Sequence, residues 1–496
     1  MKEEIEIAGI EVPQADWEAT PPSIRALVRV LSERLKHQDE RIRALEERLN
    51  RNSNNSSKPP SSDGFGPSSK HQKRVNKGKS PGPSKSSPRQ ARKLKPSEAC
   101  DRVQAVLPEV CEACGAALQG DDPRPHRHQE IDLPPIDARV IEYRLHQLRC
   151  DICGHLSRAG LPSGVSPSGY GERLSAIVAL LSGSYRQSYR QVCGLMGELF
   201  GVSLSRGAVG RLRDEMNTAL RAPVAAAKDY VQAQPVIHSD ETSFPQGNRD
   251  GRNPKRTKGW LWVLVTPLVS FFEVSLSRSQ QTAKALIGEA YGGIVTSDRY
   301  GAYRWIALGR WQICWAHLKR DFTAMAERMG VSHDIGVALL RRQRRLFRWW
   351  HQVRDGALSR EQFMRQVTQL RQGFKATLAE AAALPTEPNE KSPLAKTVRT
   401  CRRLLAVEPA LWTFVSTVGV EPTNNAAERA LRPAVMWRKT SFGAQAQSGS
   451  QFVARLMTVT TSLKAQGRNI LDFLTQACLA GRTGQEPPSL IPQQQR

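Results

Sequence analysis

His238-Ser239-Asp240-Glu241-Thr242-Ser243 is the stretch from which the chain is best read. Just upstream, Pro235-Val236-Ile237-His238 is a short apolar run of the kind that forms a buried strand. The run stops at a carboxylate, which sets Asp240 at or just past the strand's end, on the rim of a sheet. A second run, Gly293-Ile294-Val295-Thr296-Ser297, ends the same way in Asp298-Arg299-Tyr300-Gly301. A third acid, Glu428, stands in Asn424-Asn425-Ala426-Ala427-Glu428-Arg429, which reads as a helix start. Each acid has a plainer explanation. Strands often end in Asp because it favours turns, and Asn425 with Glu428 matches a capping box. Taken together, two strand-end aspartates and a helical glutamate suit two hard divalent cations, Mg2+ or Mn2+, held by oxygen ligands. That donor set points to metal-dependent phosphoryl transfer.

Around these acids the order of elements is informative. After the first strand come Gly259–Val265 and Ser270–Val274, a predicted hairpin across Thr266-Pro267-Leu268-Val269. A helix over Gln280–Ala290, the strand ending at Asp298, a short helix and a fifth strand over Trp311–Trp315 follow. Strand, strand, strand, helix, strand, helix, strand is the order of an RNase H-like mixed sheet. In that fold the first and fourth strands are neighbours, which brings Asp240 and Asp298 together. About a hundred residues of helix-forming sequence then intervene before Glu428. Their most basic and aromatic part is Arg341–Trp350. A basic face with tryptophans can grip DNA, but a Trp pair on a helix more often belongs to a core.

At 496 residues the chain has room for several domains. It carries 72 Lys and Arg against 47 Asp and Glu, a formal charge of +25, which favours a polyanionic partner, nucleic acid first. The absence of a run of 18 or more apolar residues excludes a membrane-spanning helix, and Met1-Lys2-Glu3-Glu4-Ile5-Glu6 is too acidic for a signal peptide. The expectation is a cytoplasmic, nucleoid-associated protein.

The N-terminal segment 1–50 contains a heptad seam over 24–49: Ile24, Val28, Leu31, Leu35, Gln38, Ile42, Leu45 and Leu49. It predicts a leucine-zipper-like coiled coil about 39 Å long at about 1.5 Å per residue, and hence a homodimer or higher oligomer. An amphipathic helix folded on its own protein is the alternative. Residues 51–98 are a predicted disordered basic linker, too poor in large apolar side chains to offset ordering entropy. Residues 99–158 hold Cys111-Glu112-Ala113-Cys114-Gly115 and Cys150-Asp151-Ile152-Cys153-Gly154. Two such knuckles supply four thiolates for a closed structural Zn2+ site on Cys111, Cys114, Cys150 and Cys153, with redox-active dithiols as the competitor. Cys100, His126, His128 and His155 are spare ligands nearby and are not counted in. Arg139–Arg149 alternates like a strand leading into the second knuckle. Residues 159–225 read as helical, with Tyr189–Phe200 and Leu204–Met216 resembling a helix-turn-helix whose Arg206, Arg211 and Arg213 would face DNA. The catalytic core spans 226–440 with its helical insertion at about 323–415, and a C-terminal segment of two amphipathic helices and a polar tail covers 441–496. The fold class is therefore multi-domain α/β.

His238–Ser243, Asp298-Arg299-Tyr300-Gly301-Ala302-Tyr303, Cys314-Trp315-Ala316-His317-Leu318-Lys319-Arg320 and Asn424–Arg429 resemble the signatures of the IS-sixty-six insertion-sequence family of bacterial DDE transposases. The zipper, the Ser56–Asp63 segment and the paired knuckles resemble that family too, in the same order. The resemblance implies a catalytic triad of Asp240, Asp298 and Glu428, double-stranded DNA (element ends and target) as substrate, and small accessory proteins of the same element as partners. Arg299 stands where members often have glycine, a departure that touches the fine geometry of the second aspartate. The implied reaction is cleavage at terminal inverted repeats followed by strand transfer. A structure-specific nuclease of the same fold and a non-catalytic DNA-binding regulator, or inactive transposase remnant, are the competing functions. His317 reads as a satisfied structural histidine rather than a helper at the site.

Overall fold

The computed structural model describes residues 4–7, 10–51, 56–58 and 93–492. The chain divides into two units, one made of residues 66–140 with 199–201 and the other of the remainder. At the N-terminus β1 (Glu4–Ile7) and β2 (Ile10–Pro13) form an antiparallel hairpin, followed by α1 (Gln14–Ala19) and the 29-residue α2 (Pro22–Asn50). Helix α2 contains the whole heptad seam, and Ile24, Leu31, Leu35, Ile42, Leu45 and Leu49 are all exposed along it. Most of the expected basic linker lies outside the described residues. Of its described part, Ser57 donates through its amide and its hydroxyl to the Glu327 carboxylate, at 3.0 and 2.9 Å.

The strand expected over Arg139–Arg149 is much shorter. Only β3 (Gln147–Arg149) forms a ladder, antiparallel to β4 (Leu156–Arg158). Val140 and Ile141 are exposed, so the alternation upstream has no buried face to stabilise a strand. The following helices are α3 (Glu172–Ser182), α4 (Tyr189–Phe200), α5 (Arg206–Ala219) and α6 (Arg221–Gln232). Ser205 caps α5 by accepting from the Ala208 amide at 3.1 Å.

Five strands then build one mixed sheet: β5 (Val236–Ser243), β6 (Trp260–Val265), β7 (Ser270–Ser275), β8 (Ile294–Ser297) and β9 (Trp311–Ile313), with α7 (Gln280–Ile287) between β7 and β8. Its order is β7-β6-β5-β8-β9. The first three strands are antiparallel, and β5, β8 and β9 run parallel. The expected neighbours, the first and fourth strands, do pair. Strand β9 ends two residues earlier than expected because Trp315 opens the helix α8 (Trp315–Ala326).

Helices α9 (Val331–Arg354), α10 (Arg360–Ala383), α11 (Pro393–Leu405) and the single turn α12 (Thr413–Ser416) follow, over the stretch read as helix-forming. Its interior is aromatic. Trp350 meets Phe414 edge-on at 5.3 Å and Trp315 meets Trp412 at 5.1 Å, so the tryptophans of the basic helix serve the core. The chain returns through α13 (Asn425–Ser441), α14 (Gln447–Ala465) and α15 (Ile470–Thr483).

Strand alternation explains the two layers. Leu261, Val263 and Val265 of β6 pack with Ala427, Leu431, Ala434 and Trp437 of α13, whereas Trp262 and Leu264 face the larger core with Ile237, Val295 and Ile313. The free edge of β7 is covered by α14: Ser462 and Thr458 hydroxyls accept from the Ser270 and Phe272 amides, each at 3.0 Å. An exposed strand edge invites pairing with another chain, and these two bonds remove that option. Among the described residues no helix is long and apolar enough to cross a membrane.

Candidate active site

Asp240 lies inside β5 rather than at its end. The strand continues beside β6 to the pair Ser243 and Trp260, but its parallel pairing with β8 stops at His238 and Thr296. Asp240 is two residues past that last pair, and Asp298 is two residues past Thr296. Both acids therefore sit where the two parallel strands part, which the apolar runs alone did not reveal because β6 extends β5 on the other side.

Side-chain alternation sorts the neighbours of Asp240. His238, Asp240 and Thr242 face α13, with His238 Nδ1 at 3.2 Å from Asn424 Oδ1 and Thr242 Oγ1 accepting from Arg438 at 3.0 Å. Ser239 and Glu241 face the opposite layer, where Tyr303 donates to Glu241 Oε2 at 2.6 Å. With that proton committed, Ser239 Oγ donates to the Tyr303 oxygen at 3.1 Å. Arg278 reaches the other Glu241 oxygen at 2.7 Å. Glu241 is thus a fully buried, fully partnered acid next to Asp240, and the Asp298 charge, after burial, raises its pKa as well.

Glu428 arrives on α13 through a specific joint. The predicted capping box is absent: Asn424 occupies the N-cap position and its side chain makes no cap bond. Instead Asn424 Nδ2 donates to the Ser239 carbonyl at 2.8 Å, and its backbone amide donates to Cys314 Sγ at 3.1 Å. One buried residue therefore ties the helix of the third acid to the strand of the first and to the start of α8.

Burial pushes the Asp240 pKa well above the ordinary carboxylate range, with the charges of Glu241, Asp298 and Glu428 adding to it. Asp298 is raised by burial, against the Tyr300 amide and the cations of Arg278, Arg299 and Arg320. Glu428 is raised by burial too, with Arg320 opposing and Asp298 reinforcing. The three acids thus feel one another's charge. Beside them, candidate ligand atoms of Cys314, His317 and Glu428 lie within 4.8 Å of one another.

Two expectations change here. His317 is not satisfied: its Nδ1 is buried without a hydrogen-bond partner, 3.7 Å from Glu428 Oε1. Burial and the Arg320 and Arg299 charges push its pKa down to about 3, so this is a neutral imidazole beside a carboxylate rather than an ion pair. Arg213, expected on a DNA-facing helix, instead lies over Phe452 at 4.3 Å and Tyr189 at 5.1 Å. Arg206 and Arg211 remain exposed. Arg299 binds Asp321 at 2.6 Å, a use that a glycine at that position would not allow.

The two knuckles have the same local geometry. In each, the glycine amide donates to the first cysteine carbonyl at 2.8 Å, and Gly115 and Gly154 take φ of 75° and 72°. Backbone amides lower the pKa of the first thiol in both, those of Ala113 and Cys114 at Cys111 and those of Cys153 and Ile152 at Cys150. That favours the thiolate form that metals bind.

Sequence comparisons agree with this layout. The model of the Transposase IS66 family matches residues 168–452, that of the zinc-finger binding domain of transposase IS66 matches 108–154, and a family of unknown function matches 13–93. Uncharacterized protein y4qI of Sinorhizobium fredii (strain NBRC 101917 / NGR234) is 26% identical over 413 residues, 76% of this chain and 72% of the relative. Uncharacterized protein y4hP of the same strain is 25% identical over 402 residues, 73% of this chain and 69% of the relative. Since the first of these models covers more than half of the chain, from α3 through the acids to α14, the chain belongs to the IS66 family of transposases.

Proposed function

We propose that this transposase is a DDE enzyme of an insertion sequence that binds terminal inverted repeats and performs DNA strand cleavage and strand transfer with Asp240, Asp298 and Glu428. The reading is carried by one observation: three acids from two strands and a helix feel one another's charge at the end of the parallel strands. The strand order agrees with an RNase H-like core. Buried carboxylates that raise one another's pKa are relieved by dications, and an all-oxygen donor set fits Mg2+ or Mn2+. When bound, such ions stabilise negative charge on the attacking and leaving oxygens of phosphoryl transfer. The chain's own part is to hold the acids on a rigid sheet, with the Arg320, Arg429 and Arg432 charges close enough to Glu428 to influence it and to meet phosphate. His317, neutral at physiological pH, adds no positive charge that would compete with cations for Glu428.

The zinc-finger match supports structural zinc on the knuckle cysteines. The exposed seam of α2 supports pairing of protomers through a coiled coil, so that two element ends are handled together. The exposed Arg206 and Arg211 support DNA contact by α5.

The test is cleavage and joining of a labelled element-end duplex in Mg2+ by wild type, Asp240→Asn and Glu428→Gln. Wild type should nick and join, and both variants should bind DNA while losing at least a hundredfold in rate. Full activity in both variants would overturn the triad. Binding without cleavage by wild type, with accessory proteins present, would favour the regulator.

A further inference from the structure

Phe442 is 82% exposed, more than any other aromatic side chain among the described residues. It ends α13 in the left-handed region, at φ 58° and ψ 17°. Helices usually place Gly or Asn there, because a Cβ is penalised in that conformation. A bulky apolar residue so placed suffers both backbone strain and exposure, and at this exposure it has almost no packing to offset them. Such a position suits a side chain that works on something outside the chain.

Its surroundings indicate what that is. The connection from β5 to β6 carries Arg249, Arg252, Lys255, Arg256 and Lys258, all exposed. Among the described residues none of the five has a carboxylate oxygen within 4.0 Å, although the Arg252 charge acts on Asp250 of the same connection. The connection is nevertheless well ordered by its own bonds. Asn253, almost fully buried, donates to the Gln246 and Thr257 carbonyls at 2.8 and 2.9 Å and accepts from the Thr257 amide at 2.8 Å. The same connection is laced to the turn that carries Phe442. Gly247 and Arg249 amides donate to the Ala444 and Gln445 carbonyls at 2.8 and 3.0 Å, and the Ala444 amide donates back to Pro245 at 3.0 Å. A Cβ on Gly443, which has φ 97°, would meet the Pro245 carbonyl at 2.1 Å, so the two segments touch backbone to backbone.

This platform is continuous with the acids. Lys258 Nζ lies 4.8 Å from the Trp260 ring centroid, and Arg278 lies 4.5 Å from the same ring and 3.6 Å from that of Tyr300. Arg278 also binds Glu241, the neighbour of Asp240. Along α13, Phe442 is fourteen residues beyond Glu428, about 21 Å at about 1.5 Å per residue. That is about six nucleotide steps at about 3.4 Å each.

We propose that the β5–β6 connection and the turn after α13 form a DNA-gripping platform, on which Phe442 stacks against an unpaired base about five to seven nucleotides from the cleaved phosphodiester. The connection's cations hold the flanking phosphates. The proposal rests on the transposase reading above and adds to it the class of DNA recognised: a duplex opened near the cut. Stacking on an aromatic ring tolerates any base, and the phosphate contacts are equally indifferent to sequence.

The experiment is equilibrium binding by the zinc-loaded protein in buffer without added Mg2+ or Mn2+ and without chelator, where no cleavage is expected. The probes are an element-end duplex, fully paired, and the same duplex with a two-base mismatch moved through positions three to nine from the cut. Wild type should prefer a mismatch at five to seven by at least fivefold. Phe442→Gly, which also relieves the left-handed strain, should erase that preference and change affinity for the paired duplex by less than about twofold, and Phe442→Trp should keep it. Arg249→Ala with Arg256→Ala should weaken both probes alike and lower the slope of log Kd against log salt by about two, roughly 0.9 per phosphate contact. No preference in wild type, a preference that survives Phe442→Gly, or equal loss on both probes in that variant overturns the stacking. A protein that shows the Phe442-dependent preference yet never cleaves leaves the platform standing and sinks the transposase chemistry. Active cleavage without the preference does the reverse, and failure to bind either probe overturns both.

Discussion

Asp240 sets the terms at the scale of single residues. Burial first, and three neighbouring carboxylates after it, raise its pKa in the folded chain above the ordinary 3.8. Between those two values the folded state holds a proton that the unfolded chain has released. Stability therefore falls as pH rises from about 3.8 through the raised value, and below 3.8 the difference disappears. Metal-free Asp240→Asn should melt above wild type at pH 7 by about 2 °C or more, and the gap should close at pH 3.5. Added Mg2+ should raise the wild-type melting temperature and leave that of the variant nearly unchanged. Thermal scans in EDTA and in Mg2+ at the two pH values check this, and a variant that melts lower than wild type at pH 7 in EDTA would count against it. Asp240 and Asp298 drew attention in the sequence because two apolar runs end in the same way and a third acid opens a helix downstream, although a single strand-end Asp is common. Glu241 was not separable from Asp240 on sequence, since two adjacent acids look alike until strand alternation sends one to each face.

Among elements, the decisive contact is the one that brings α13 to β5. Asn424 makes it with a side chain donating to Ser239 and facing His238, and with an amide on Cys314. All of these groups are buried or half-buried, so removing one partner leaves others unsatisfied, at a cost of about 1–3 kcal/mol. Asn424→Ala should lose about that much stability and, because Glu428 is one helical turn away, slow DNA cleavage at least tenfold while DNA affinity stays within about twofold. Urea denaturation with single-turnover cleavage measures both. An unaltered cleavage rate would mean that the joint does not position Glu428. From the sequence, Asn425 and Glu428 looked like the parts of a helix cap, and nothing set the preceding Asn424 apart. What the pattern could not show is that the asparagine bridges across 185 residues of chain to a strand carbonyl instead of folding back on its own helix. Helix limits elsewhere followed the periodicity closely, as with α4 over Tyr189–Phe200.

For the molecule as a whole, α2 carries the clearest unfinished business, an apolar seam exposed over the length of a long helix. Burying six Leu- or Ile-sized side chains against water is worth more than a soluble helix gains by leaving them exposed. Full-length protein should therefore be dimeric or larger in sedimentation equilibrium at micromolar concentration. Leu31→Glu with Leu35→Glu should weaken association at least a hundredfold while sparing the fold of the sheet domain, as read by its tryptophan fluorescence. A double variant with the wild-type sedimentation coefficient would place the oligomer contact elsewhere.

Periodicity and motif spacing were enough to place the five strands, the long helix that carries the heptad pattern and the turn of each knuckle, and to single out the acids as candidates. These are local properties, dictated by which side chains can share a face of a strand, a helix or a turn. Only the tertiary structure decided that Asp240 lies where β5 parts from β8, that Glu241 turns away, that Arg213 is enclosed by aromatic rings, and that Phe442 stands beside a braced basic connection. Each of those outcomes depends on a contact between residues far apart in the chain, and no local pattern encodes the partner.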